Sequence, residues 1–152
     1  MMDLECSDDV YAIVLSPTNP NVMITGHSKG ELHVWNIADS THVKLDGHTD
    51  AITSLCMSAD GRLLCSTSYF GVICCHDLLH GNTLLWQKDL QEFTIRSNIV
   101  YHEGCFMILG LDDIFVLNAL TGDHEKSSSE CAEYIAVLYL RKIGLLYFDS
   151  PL

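Results

Sequence analysis

Gly30-Glu31-Leu32-His33-Val34-Trp35-Asn36 and Gly71-Val72-Ile73-Cys74-Cys75-His76-Asp77 superpose residue for residue at an offset of 41, with Trp35 falling on His76. The same offset leads on to Asp112-Asp113-Ile114-Phe115-Val116-Leu117-Asn118, another apolar run closed by Asn or Asp. A glycine trails the second and third copies at the same interval, Gly81 and then Gly122. Working outward, short β-like runs alternate with turn residues: 11–15, 22–25 and 31–35 in the first copy, then 52–57, 63–66 and 72–76 in the second. Asp60-Gly61 marks a tight turn between two of these runs, and no stretch sustains a helical period.

Repeats of about 40 to 45 residues built from short strands are the signature of propeller blades. The second copy opens with Gly47-His48-Thr49-Asp50-Ala51-Ile52, and the first closes on Trp35-Asn36. On these motifs the chain resembles the WD-repeat β-propeller family, whose copies run from a Gly-His pair to a Trp-Asp pair. The third copy lacks both pairs and follows by register alone. The resemblance implies an all-β chain, a partial propeller of four-stranded antiparallel blades, about 3.5 of them, in one domain over 1–152. Blade 1 is expected over about 8–45, blade 2 over 46–88, blade 3 over 95–126 and an incomplete blade 4 over 131–152. The pattern blurs between residues 90 and 97, and residues 124–130 read as a polar loop. At this period four blades need about 164 residues against the 152 present. The expectation is a ring that this chain cannot close alone: a fragment, a shortened form, or a half-propeller completed as a homo-oligomer or by a completing chain.

Composition narrows the partner. Hydrophobic residues make up 48% of the chain and charged residues 18%, which excludes global disorder. Twenty acidic against eight basic side chains give a formal charge of −12. Such a surface repels phosphate, so neither nucleic acid nor an anionic membrane is the expected partner, whereas basic peptide segments of other proteins are favoured. Seven cysteines and an acidic start at Met1-Met2-Asp3-Leu4-Glu5 point to reduced thiols in the cytoplasm, the nucleus or both.

Several residue sets invite chemistry. His48, Ser68 and Asp50 could be read as a hydrolase triad, but no Gly-x-Ser-x-Gly elbow accompanies Ser68. In the family resembled, His48 and Ser68 stand where a structural network joins the Gly-His loop, the second strand and a third-strand Trp, here His76. The structural repeat set is then Trp35, Asn36, Gly47, His48, Ser68, His76 and Asp77. By the same resemblance blade 1 is worn, with Cys6, His27 and Lys29 in the His, Ser and Asp places and only Trp35 left of its network, so packing is expected to hold it. Cys74-Cys75-His76 is a dense soft-ligand cluster, yet Cys74 and His76 fall on one strand face and Cys75 on the other, and no second ligand pair has zinc spacing. Buried apolar thiols are the expectation. Asp8-Asp9 and Asp112-Asp113 read as solvated turn pairs, and no glycine run cradles a phosphate. No catalytic group, cofactor or metal is expected.

What remains is a rim. Tyr69-Phe70 puts two aromatics in a hairpin where the family resembled prefers small polar residues. With His27, Lys29, His48 and Asp50 they define the candidate partner-binding rim of a non-catalytic interaction scaffold; the alternatives are an incomplete product without independent function, or a hydrolytic or metal-dependent enzyme.

Overall fold

Alternation of apolar and polar residues at period two, broken by Gly, Asn and Asp, leaves the chain no periodic face except that of a strand. A computed structural model describes residues 4–6, 8–91, 98–109 and 114–125 and resolves them into three sheets of four antiparallel strands. The first sheet runs β1 (Val10–Leu15), β2 (Val22–His27), β3 (Leu32–Asn36), β4 (Thr41–Leu45). The second runs β5 (Ile52–Met57), β6 (Leu63–Ser68), β7 (Val72–Asp77), β8 (Thr83–Asp89). The third runs β9 (Ile99–His102), β10 (Cys105–Leu109), β11 (Ile114–Asn118), β12 (His124–Glu125). Each sheet is a meander in which sequential strands are neighbours. Of the polar loop expected over 124–130, His124 and Glu125 instead form β12 paired with β11, and the remainder, like the expected fourth blade and Asp112-Asp113, lies outside the described residues. Among those described, no helix is long and apolar enough to cross a membrane.

The sheets stack face to face through their first strands, β5 meeting β1 and β2 on one side and β9 on the other. Between the first two sheets the core is Ile24, Leu32 and Leu45 against Ile52, Leu55, Met57 and Leu64. Between the second and third it is Cys56, Leu63, Cys65, Ile73 and Cys75 against Ile99, Phe106, Ile108 and Leu117. The approach is close: a Cβ on Gly26 would lie 2.7 Å from Ile52 Cβ. Glycine is required there because strand meets strand with no room for a side chain.

Register makes equivalent positions explicit. Val10, Ile13 and Leu15 pair with His27, Thr25 and Met23, as Ile52, Leu55 and Met57 pair with Ser68, Ser66 and Leu64. Both first strands carry a register shift at the same place, between Val10 and Ala12 and between Ile52 and Ser54. The second set is covered by the first sheet, at 0%, 8% and 7% exposure, while the first set stands 45%, 61% and 63% exposed. The structure therefore presents one receiving face filled and the equivalent face bare.

Candidate interaction rim

Two-residue turns between second and third strands carry the rim. Ser28-Lys29 leads into Gly30 and Tyr69-Phe70 into Gly71, with Gly30 at φ 87° and Gly71 at φ 84°. Each turn closes with the glycine N–H donating to the strand-end carbonyl, Gly30 to His27 at 3.1 Å and Gly71 to Ser68 at 3.0 Å. Each is also tied to the segment entering its sheet: Ser28 N donates to Asp9 O and Tyr69 N to Ala51 O, both at 2.9 Å. A Cβ on Gly30 would lie 2.8 Å from Asp50 O, so the first turn abuts the Gly-His loop of the next sheet. Lys29, Asp50, Tyr69 and Phe70 are thereby brought to one edge, with His48 beneath them.

Tyr69 and Phe70 are 42% and 63% exposed, and their rings meet edge to face with centroids 5.3 Å apart. Lys29 extends into solvent near Asp8 at 3.7 Å. His27 does not join them. It is fully buried, so its place in the rim set is corrected: its ring belongs to a network inside blade 1.

That network also corrects the expectation that only Trp35 is left of blade 1's polar ties. Trp35 Nε1 donates to Thr25 Oγ1 at 2.9 Å, and Thr25 Oγ1 meets His27 Nε2 at 2.8 Å. His27 Nδ1 then reaches Asp8 O at 3.3 Å, and the Asp8 carboxylate accepts Lys29 N at 3.1 Å. His27 supplies from the strand the imidazole that a Gly-His loop would have brought. Around it His33 stacks on His42 with centroids 4.6 Å apart, and His33 Nε2 lies 3.0 Å from Glu31, which also pairs with Lys44 at 2.8 Å.

In blade 2 the imidazole partner is Ser66, in place of the expected Ser68. His48 Nε2 meets Ser66 Oγ at 2.8 Å, whereas Ser68 Oγ, among the described residues, donates within its own hairpin to Val72 O at 3.5 Å. Ser66 and Ser68 share a strand face, so face assignment alone does not separate them. The ten-residue spacing from Thr25 to Trp35 recurs from Ser66 to His76 and would have done so. His76 does not bond Ser66 as an indole would; its Nε2 donates to Asp46 O at 2.6 Å. Cys74 on the same face gives its thiol hydrogen to Gly47 O at 3.3 Å. Three side chains of blade 2 thus fasten residues 46–48. Ser66 donates its hydroxyl hydrogen to Cys74 O at 3.5 Å, so His48 donates from Nε2, and among the described residues the buried Nδ1 of both His48 and His76 has no hydrogen-bond partner. Burial pushes His48 down to about 4, with the neighbouring His76 adding to the fall, and burial lowers His76 as well.

The run after β7 is braced separately. Asp77 accepts Arg62 Nε and Nη2 at 2.9 and 2.7 Å, His80 Nδ1 at 2.8 Å, and the N–H groups of Leu79 and His80. The Arg62 guanidinium holds that carboxyl well below the usual carboxylate range. Asn36 plays the smaller part in blade 1, its side chain accepting Ala38 N at 3.1 Å.

Residues 39–77, the copy that carries Gly47-His48, match the family described as WD domain, G-beta repeat. Among solved structures the chain is similar to "Structure of U3-55K" at 11% identity and TM-score 0.70, covering 80% of this chain and 39% of that one. It is similar also to "Crystal structure of RRP9 WD40 repeats" at 12% identity and TM-score 0.70, with the same two coverages. The chain thus spans 39% of the length of either structure. No curated protein matches it. Three meandering four-stranded sheets stacked through their first strands give this chain the blade architecture of a β-propeller, and residues 39–77 within it match a WD repeat.

Proposed function

We propose that the chain is a non-catalytic protein-interaction scaffold that captures partner peptides at the rim formed by Lys29, His48, Asp50, Tyr69 and Phe70. The exposed edge-to-face pair of Tyr69 and Phe70 carries the reading. Two large rings held in solvent by a hairpin with fixed backbone bonds lose little freedom on binding, and rigid aromatics are the usual anchors of interfaces. The formal charge of −12 favours a peptide that carries Lys or Arg beside its apolar contact. The histidine–serine pair reads as bracing, because Ser66 is fully buried and its hydroxyl is spent on the Cys74 carbonyl. The bare face of β1 supports a second part of the same reading, in which another blade, from a second copy or a completing chain, covers Val10, Ile13 and Leu15. The thiols buried in blade 2 suit a reducing compartment, cytoplasmic or nuclear.

The test is fluorescence anisotropy with a panel of peptides pairing an apolar residue with Lys or Arg, alongside matched acidic peptides. Basic peptides are expected to bind, more weakly in high salt, and replacement of both Tyr69 and Phe70 by Ser is expected to abolish the signal while far-UV circular dichroism stays unchanged. Equal binding by that variant would overturn the rim assignment. Preference for the acidic peptides would overturn the partner class.

A further inference from the structure

Cys56, Cys65 and Cys75 stand side by side on three adjacent strands, Cys56 opposite Cys65 and Cys65 opposite Cys75. All three lie in the apolar layer between blades 2 and 3. The hydrogen-bond parity of the two ladders separates these two pairings. Leu78 N donates to Arg62 O at 2.8 Å, so on the β6–β7 ladder the bonded pairs fall at 62/78, 64/76 and 66/74. Cys65 and Cys75 are then a non-bonded pair, the kind whose Cα atoms sit about 4.5 Å apart with side chains closest together. On the β5–β6 ladder Ser58 N donates to Leu63 O at 2.9 Å, which makes Cys56 and Cys65 a bonded pair with Cα atoms about 5.5 Å apart and side chains farther separated. A disulfide needs Cβ atoms about 4 Å apart, so the closer pair is the one that can be bridged.

The same pair is covered by one turn of blade 3. Cys75 donates its thiol hydrogen to Ala119 O at 3.4 Å, and Trp86 Nε1 donates to that oxygen at 2.9 Å. Gly122, at φ 72° in the same turn, lies so close over the indole that a Cβ there would be 2.6 Å from Trp86 Cδ2. While this turn is seated, both thiols are shut from solvent, and burial pushes Cys75 up to about 12 and Cys65 well above its ordinary value. Neither is then a nucleophile.

We propose that Cys65 and Cys75 are a cross-strand dithiol that closes to a disulfide when the β11–β12 turn lifts from blade 2, so that the junction between these blades is a thiol-oxidation site. The oxidant is a small disulfide such as oxidised glutathione. One cysteine thiolate displaces a glutathione thiolate to form a mixed disulfide, and the other displaces the second. Two cysteine S–H bonds and one S–S bond break, one S–S bond forms, and the two protons leave on two molecules of reduced glutathione. Closure removes the hydrogen that Cys75 gives to Ala119 O, so the oxidised junction reseats without that bond.

The chain is incubated with oxidised glutathione in buffer and in sub-denaturing urea, quenched with iodoacetamide and cut with chymotrypsin, which separates Cys65 from Cys74 and Cys75 at Tyr69-Phe70. A Cys65–Cys75 link is expected, with both thiols lost together. It should form several-fold faster in urea and in Trp86→Ala, survive in Cys74→Ser and vanish in Cys75→Ser. If Trp86→Ala is unfolded by circular dichroism, the urea series on the wild-type chain decides alone. Recovery of Cys65 as an alkylated thiol after Cys6 and Cys105 have taken up glutathione would overturn the proposal. So would a link to Cys56 or Cys74 in its place, or a rate indifferent to urea.

Discussion

Acidification from pH 7 to about pH 5.5 should begin to weaken the fold before the carboxylates titrate. His48 and His76 each hold a bare, buried Nδ1, and His48 is depressed to about 4. Above the ordinary histidine value of about 6.5 both folded and unfolded chains carry these rings neutral, and there is no pH dependence. Below it the unfolded chain takes up protons that the folded one refuses, so stability falls as pH falls. One ring refusing its proton over about 2.5 pH units, at about 1.4 kcal/mol per unit, amounts to about 3 kcal/mol by pH 4, and His76, lowered in the same direction, adds to it. His33, lowered chiefly by burial against the pull of Glu31, contributes with the same sign. Urea unfolding at half-unit steps from pH 7.5 to 4.5, followed by the fluorescence of Trp35 and Trp86, measures this. The midpoint should hold flat above about pH 6.5 and fall steadily below it. His48→Gln keeps a donor towards Ser66 and has no titrating nitrogen, so its slope should be the shallower. A midpoint level down to pH 4.5, or an unchanged slope in His48→Gln, would refute the argument that these imidazoles are held neutral.

Ser66→Ala leaves His48 without its partner and should cost about 1–2 kcal/mol in the same unfolding assay, while Ser68→Ala, whose hydroxyl makes only a long local contact, should stay within about 0.5 kcal/mol. Gly26→Ala forces a methyl into Ile52 across the blade 1 to blade 2 junction and should destabilise by about 1–3 kcal/mol, read as a lower melting temperature. Asp77→Ala should lower the melting temperature more than Arg62→Ala, since the carboxylate accepts from Arg62, His80 and two backbone N–H groups, whereas the guanidinium hydrogen-bonds, among the described residues, to Asp77.

The inner strands were legible because their apolar faces repeat at a fixed interval. The run 52–57 coincides with both ends of β5, and the run 112–118 shares the C-terminal end of β11 at Asn118. The outer strands β4 and β8 were not called out, and their burial explains it: Thr41-His42-Val43-Lys44 is exposed on both faces, so no alternation marks it as a strand. The networks were half legible. A Trp or Gly-His pair announces itself, but Ser66 against Ser68 is a question of which rung faces the imidazole, and the identity of a hydroxyl residue does not answer it. His27 illustrates the other difficulty: a histidine next to a turn reads as surface until the indole and hydroxyl beside it are seen to claim its ring. The aromatic pair at residues 69 and 70 was visible because it broke the pattern of its own repeat, and departures from a repeat can be read wherever the repeat itself can.

The uneven covering of Ile52, Leu55 and Met57 against Val10, Ile13 and Leu15 bears on how this chain opens. In a stacked array each unit draws its stability from its neighbours, so a unit flanked on both sides is protected by two interfaces and a unit flanked on one side by a single one. Blade 2 lies between two apolar clusters and blade 1 against one. Amides of β2 and β3 should therefore exchange with solvent through a local opening of lower free energy than those of β6 and β7, even though the ladders are of equal kind. Any surface that came to rest on Val10, Ile13 and Leu15 would slow exchange at Ile24, Thr25 and Trp35 without touching their hydrogen bonds.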